Sequence, residues 1–246
     1  MNFFQAIPNL WFNDKQNNTI IKNEISYYCK DFDKIPFLDI DSKNVHYISK
    51  DTIRNIDPLQ LYIMKNNKYT FKAFRGCPFK CTYCNSASLK NATPKESHQI
   101  RKKNVKTVIE DLKKVITLYP NIKKIHSNDE VFIMDKEWVF EFTKEYKKNI
   151  NIPLTCDIHL QFLTEEVLKE LVSANLCLIS AGIEGFSFSL RKDVYKRNMS
   201  DCNYKFPHYT QDIVFYLYHK KAVLQLELDQ QSIILYVLWP HNTVLK

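Results

Sequence analysis

The chain has 246 residues, 45% of them hydrophobic, and carries 35 Lys and Arg against 27 Asp and Glu, a formal net charge of +8. That length suits one large domain or a small domain with an appendage, and the composition is ordinary for a globular fold. No run of about 18 apolar residues occurs, and the N-terminus MNFFQAIPNLWFND lacks a basic region followed by an apolar stretch, so neither a membrane span nor an export signal is expected.

Residues 1–68 are punctuated by Ile7-Pro8-Asn9, Ile35-Pro36-Phe37 and Asp57-Pro58 and show no stripe of helical period, so they read as an extended, linker-like wrapping segment. KYTFKAF, 68–74, alternates as a strand and runs into FRGCPFKCTYCNS, 74–86. Val105, Val108, Ile109, Leu112, Val115 and Ile116 recur at helical spacing until LYPN closes that helix with a proline. IKKIHSND then reads as a strand, KEWVFEFTKEYKKN as a helix and IPLTCDIH as a strand. TEEVLKELVSAN follows as a helix and LCLISAGIEG as a buried strand. Strands that alternate with single helices pair in parallel through right-handed crossovers, which predicts an α/β fold, a partial (β/α) barrel with four readable βα units over 69–200. From 201 to 246 the rhythm fails, and that tail has no predicted structure.

Chemistry in such folds gathers at the C-terminal ends of the strands. There stand the cysteine loop, then Asn128, Asp129 and Glu130, then Cys156, Asp157 and His159, and last Glu184. Seven cysteines is an odd number in a chain well above the size of a small disulfide scaffold, so the thiols point to a metal and to a reducing compartment, the cytoplasm. Structural zinc wants four protein ligands, and after Cys77, Cys81 and Cys84 no second pair follows, although Cys29, His98 or Cys156 could complete a set. An iron-sulfur cube held by three thiolates keeps one iron open to a substrate or cofactor. Cys156 and Cys177, inside apolar strands, read as small core residues. Cys29 and Cys202 have no supporting pattern, and a lone histidine such as His126 or His159 is more often structural.

RGCPFKCTYC closely resembles the cysteine loop of the radical S-adenosylmethionine (SAM) enzymes, in which CxxxCxΦC with an aromatic Φ binds a 4Fe-4S cluster. HSNDEVF is similar to the acidic segment after the second strand of those members that carry a cobalamin-binding domain. AGIEGFSFSLRKDVYKRNMS resembles their GIESG segment and arginine-rich helix, and IPFLDID their interdomain linker. The resemblance implies a cluster on Cys77, Cys81 and Cys84, with Gly76 and Pro78 shaping the loop, and SAM bound to the open iron by its amino and carboxylate groups. It implies Tyr83 against the adenine, Asp129 and Glu130 at the SAM ammonium, and Glu184 at the ribose or methionine. The implied reaction is one-electron cleavage of SAM to a 5'-deoxyadenosyl radical acting on an unknown substrate, with electrons from a reductant such as flavodoxin or ferredoxin.

The sequence departs from that family in three places: no cobalamin-binding domain is legible, so no cobalamin is expected in this chain; the barrel pattern stops after four units, leaving an open sheet edge and slow, uncoupled turnover; and Gly185 stands where the family has serine. Two other classes stay open beside the radical enzyme. One is a zinc- or redox-active cysteine protein. The other is a basic nucleic-acid-binding protein, which needs Lys and Arg clustered with exposed aromatics; RKKNVK, 101–106, is a weak candidate for that, so nucleic acid is not an expected partner.

Overall fold

The computed structural model describes residues 7–37, 46–55, 67–182, 184, 187–197, 199, 223–228 and 233–238. The N-terminal segment is more ordered than its punctuation suggests. Trp11–Asp14 (β1) and Thr19–Lys22 (β2) form an antiparallel hairpin, as do His46–Ser49 (β3) and Thr52–Asn55 (β4). Asp14 accepts from the Gln16 amide at 3.0 Å in the first turn, and Asn18 and Lys50 supply the left-handed residues, with φ of 51° and 53°. Strands of four residues are too short to display a period, which is why they escape a reading of alternation. Phe32 is buried, and the Asp33 carboxylate accepts from the Asn104 amide at 3.0 Å, just ahead of the next long helix.

The remaining elements follow as Lys68–Phe71 (β5), Phe74–Arg75 (β6), Asn85–Ala92 (α1), Arg101–Lys102 (β7), Val105–Leu118 (α2), Lys124–Ser127 (β8), Lys136–Asn149 (α3), Leu154–Ile158 (β9), Glu165–Ser173 (α4), Leu176–Gly182 (β10), Val223–Leu228 (β11) and Ile233–Leu238 (β12). Each helix has a local cause. In α2 the predicted stripe Val105, Val108, Ile109, Leu112 and Val115 is buried. Asp135 caps α3 by accepting from the Trp138 amide at 3.0 Å, and Thr164 caps α4 through the Val167 amide at 3.2 Å.

Strands β5, β8, β9 and β10 pair side by side and in parallel, as the alternation predicts. Tyr69, Phe71, Ile125, Leu154, Cys156, Ile179 and Ala181 are buried with α2, α3 and α4 in one core. An aromatic group built on Phe142, with Trp138 at 5.2 Å, Phe132 at 5.4 Å and Phe71 at 6.0 Å, locks α3 onto β5. Thr70, His126, Thr155, Asp157 and Ser180, one register position away, lie on the opposite face.

Two expectations are corrected. The first strand does not run from 68 to 74; it breaks after Phe71, and Phe74–Arg75 pairs antiparallel with Arg101–Lys102 instead. The expected open edge at β10 is covered: β12 pairs antiparallel with it, Leu178 opposite Leu238, and β11 pairs with β12. The tail therefore adds a hairpin to the sheet where a further βα unit would follow. Its apolar runs VLQLEL and IILYVL carry no period that separates a strand from a buried helix. The rest of 201–246 lies outside the described residues, as do 38–41 of the linker-like stretch, Gly185 and Cys202.

Candidate functional site

The break after β5 is the starting point of the site. Asp129, at the end of β8 and 2% exposed, accepts from the Ala73 amide at 3.0 Å, the Phe74 amide at 2.8 Å and the Ser127 hydroxyl at 2.6 Å. Its carboxylate thus takes the amides that a continuing strand would offer a neighbour, and it turns the chain out of the sheet. Phe74 is held from the other side by the Trp138 ring at 4.8 Å. Burial pushes the Asp129 carboxyl up to about 6, against the pull of its three donors, so it is ionised at neutral pH. Both oxygens have protein partners, and through them Asp129 anchors the loop.

Two residues on, Gly76 has φ of 102°, a conformation that side-chain-bearing residues rarely adopt. There the chain enters the cysteine loop. Cys77 and Cys84 are half-buried and Cys81 is buried. Burial pushes the Cys77 thiol up, and the neighbouring Cys81 and Cys84 thiols push the same way. Cys84 is the N-cap of α1. Lys90, on the same helix, donates to the carbonyls of Cys77 and Phe79 and ties the loop down.

The loop's other flank docks on the segment after β10. The Thr82 amide and hydroxyl both donate at 2.9 Å, to the carbonyls of Tyr195 and Val194. Arg197, 8% exposed, donates to the Gly182 carbonyl at 2.8 Å and the Tyr83 hydroxyl at 3.2 Å, and its Nη1 stands 4.0 Å from Cys81 Sγ. The Tyr83 ring meets Tyr195 edge-on at 5.3 Å and is 48% exposed, so it offers a free face. Glu184 has φ of 68° and shares this corner; burial raises its carboxyl, with Arg197 opposing.

Glu130 differs from its neighbour Asp129. One oxygen pairs with Lys72 Nζ at 3.0 Å, while Oε2 is buried with no hydrogen-bond partner among the described residues. It lines a cleft of about 260 Å³ together with Arg75, Gly76 and Cys77. A buried, unpartnered carboxylate oxygen costs free energy unless a donor arrives. Sequence reasoning missed Lys90 and assigned Arg197 no contact. The only signal for Arg197 was its place in the arginine-rich stretch, and nothing marked Lys90.

The competing readings fare worse. Among the described residues no three His, Cys, Asp or Glu side chains converge as one ion requires, the three loop cysteines included. Cys29 Sγ donates to the Asp31 carbonyl, His98 pairs with the Thr93 carbonyl, and Cys156 is 1% exposed with its thiol held well above the ordinary value by burial. Three of the four basic residues of the run 101–106 have partners, while Lys106 is exposed. Arg101 donates to the Cys29 carbonyl at 2.9 Å, Lys102 pairs with Asp135, and Lys103 pairs with Asp111 at 2.9 Å. No helix of the described residues is long and apolar enough to cross a membrane.

His126 has a hydrogen-bond partner at its ring, whereas His159 Nε2 is buried with none among the described residues. His126 bonds the Thr155 hydroxyl at 2.8 Å and lies 3.5 Å from Asp157. His159, 3% exposed, stacks on Phe79 of the cysteine loop at 4.1 Å, and its Nδ1 accepts from the Gln161 amide at 3.3 Å. Burial, and then the nearby Arg197, push it down to about 3. Because that lies below the ordinary histidine value of about 6.5, only the unfolded chain takes up the proton as pH falls from about 6.5 towards 3, and stability is lost on acidification. At pH 5 this amounts to roughly 2 kcal/mol. His159→Phe keeps the ring stack and removes the titration. In urea unfolding at pH 7.5 and pH 5, the variant is expected to gain about that much on the parent at the lower pH; parallel behaviour would show that His159 is not held neutral.

The Radical SAM superfamily model matches residues 71–205. Comparison with curated proteins finds no match. Among solved structures, the radical S-adenosylmethionine methyltransferase TsrM from Kitasatospora setae, bound to its tryptophan substrate and a SAM analogue, is similar with a TM-score of 0.57 and 12% identity over 80% of this chain. The same enzyme with cobalamin and a [4Fe-4S] cluster gives 0.56 and 11% over 87%. This chain spans 36% and 39% of the length of those two chains.

Proposed function

This chain belongs to the radical SAM superfamily, whose members use a [4Fe-4S] cluster and SAM and generally need a reductant; we propose that it binds both groups on the loop of Cys77, Cys81 and Cys84 and generates a radical for an unidentified substrate. The observation that carries this reading is the unpartnered Glu130 Oε2 in the cleft it shares with Cys77. Three cysteines spaced along one loop suit a cluster with one open iron. Bound together, cluster and SAM supply a 5'-deoxyadenosyl radical.

The chain's own residues place and shield those groups. Cys77, Cys81 and Cys84 hold iron, while Gly76, Lys90 and Asp129 keep the loop's backbone in shape. Glu130 accepts from the SAM ammonium. Tyr83 offers its free face to the adenine, Arg197 fixes the Tyr83 hydroxyl, and Glu184 meets the ribose or methionine. Asp157 and Ser180, on the sheet face turned from the core, are polar groups a substrate would meet.

The test is paramagnetic resonance of the reduced cluster. SAM is expected to perturb the parent's spectrum, and Glu130→Gln to raise the concentration needed by about 10- to 100-fold, the equivalent of roughly 1.5 to 3 kcal/mol for a lost charged hydrogen bond. A parent spectrum unchanged at saturating SAM would overturn the proposal.

A further inference from the structure

His159 keeps one polar atom unused. It follows β9 directly, at the C-terminal end of the parallel sheet. Its ring is held between Phe79, stacked at 4.1 Å and 17°, and Phe162, edge-on at 6.1 Å. Because Nδ1 accepts from the Gln161 amide at 3.3 Å, the ring proton sits on Nε2. That N–H is buried with no acceptor among the described residues. A buried donor costs free energy until an acceptor arrives.

The surroundings say which acceptor suits it. Phe79 stands between Cys77 and Cys81, so the ring lies on the stretch that carries the proposed iron ligands. Arg197, whose Nη1 is 4.0 Å from Cys81 Sγ, is close enough to His159 to oppose its protonation. Arg197 spends its nitrogens on Met199, Tyr83 and Gly182, whereas Nε2 of His159 is uncommitted. Nor does His159 line the cleft of Glu130, where the SAM ammonium is placed. The acceptor that fits is a cluster sulfur, anionic and brought to this loop with the iron.

We propose that the Nε2–H of His159 donates to a sulfur of the [4Fe-4S] cluster and makes that cluster easier to reduce. The inference rests on the function proposed above and adds a residue that sets how readily the electron is accepted. Reduction adds one negative charge to the cluster, and a donor at its sulfur stabilises the more negative state, so the potential rises.

The test is a redox titration of anaerobically reconstituted protein without SAM, followed by paramagnetic resonance of the reduced cluster. His159→Phe keeps a ring on Phe79 and removes the N–H. At a fixed potential its ratio of reduced to oxidised cluster is expected to be about tenfold below the parent's, a midpoint about 59 mV more negative for one electron. His159→Gln, which restores an N–H donor, should recover part of that loss. In parent protein whose histidines carry heavy nitrogen, a histidine nitrogen should couple to the reduced cluster, and the coupling should vanish in labelled His159→Phe. Equal midpoints in parent and His159→Phe would overturn the proposal. So would a parent without any histidine coupling, a result that does not depend on how the variant folds. A coupling that appears only once SAM is added would also overturn it, by moving the contact from the cluster to SAM. Failure of the functional reading looks different, since the parent itself would then form no cluster.

Discussion

Cys81→Ser is expected to yield a folded chain that takes up almost no cluster. Anaerobic reconstitution of the parent should give about four iron and four sulfide per chain, as a cubane requires, and the variant less than a quarter of that. Cys81 has the strongest claim of the three because it is 5% exposed, lies at the centre of the loop and has Arg197 4.0 Å from its sulfur. A serine there keeps the volume but presents a hydroxyl, a poor ligand for iron beside a thiolate. Cys29→Ser supplies the control: its thiol is exposed and points to the Asp31 carbonyl, so cluster content should stay at the parental level. Stoichiometric zinc in the parent, or full iron in Cys81→Ser, would place this loop outside cluster chemistry.

The parts of this fold that sequence reveals are those whose physics repeats along the chain. A stripe such as Val105, Val108, Ile109, Leu112 and Val115 reports a buried helix face several times over, and four such βα steps disclose the parallel sheet before any contact is known. The spacing of Cys77, Cys81 and Cys84 is equally local. What stays hidden depends on single contacts between distant residues. HSNDEVF cannot tell which of two adjacent carboxylates turns inward; Asp129 does so because the amides of Ala73 and Phe74, more than fifty residues earlier in the chain, come to meet it. Arg197 reaches Cys81 and Tyr83 across 116 and 114 residues. The β11–β12 hairpin is hidden for another reason: a short apolar strand and a buried helix turn look alike until a neighbouring strand fixes the choice.

Asp129→Ala should be the most destabilising single change at the site, and its effect should spread to the cluster. The substitution strands the Ala73 and Phe74 amides and the Ser127 hydroxyl in a buried place with no acceptor. One buried group left unsatisfied costs about 1 to 3 kcal/mol, and losing the whole network should cost roughly 3 to 5 kcal/mol. Asp129→Asn separates the charge from the geometry. It keeps one carbonyl acceptor but sets an NH2 group against donors, so it should recover only part of the loss. Urea unfolding at pH 7.5 reads the stability, and iron content after reconstitution reads the loop. Because these amides fix the strand that enters the loop at Gly76, the alanine variant should lose cluster in step with stability, while Glu130→Gln, one residue away, should keep both and lose only SAM affinity. If Asp129→Ala instead unfolds like the parent and binds SAM poorly, the two carboxylates have exchanged roles, and Asp129 is the one that meets the cofactor.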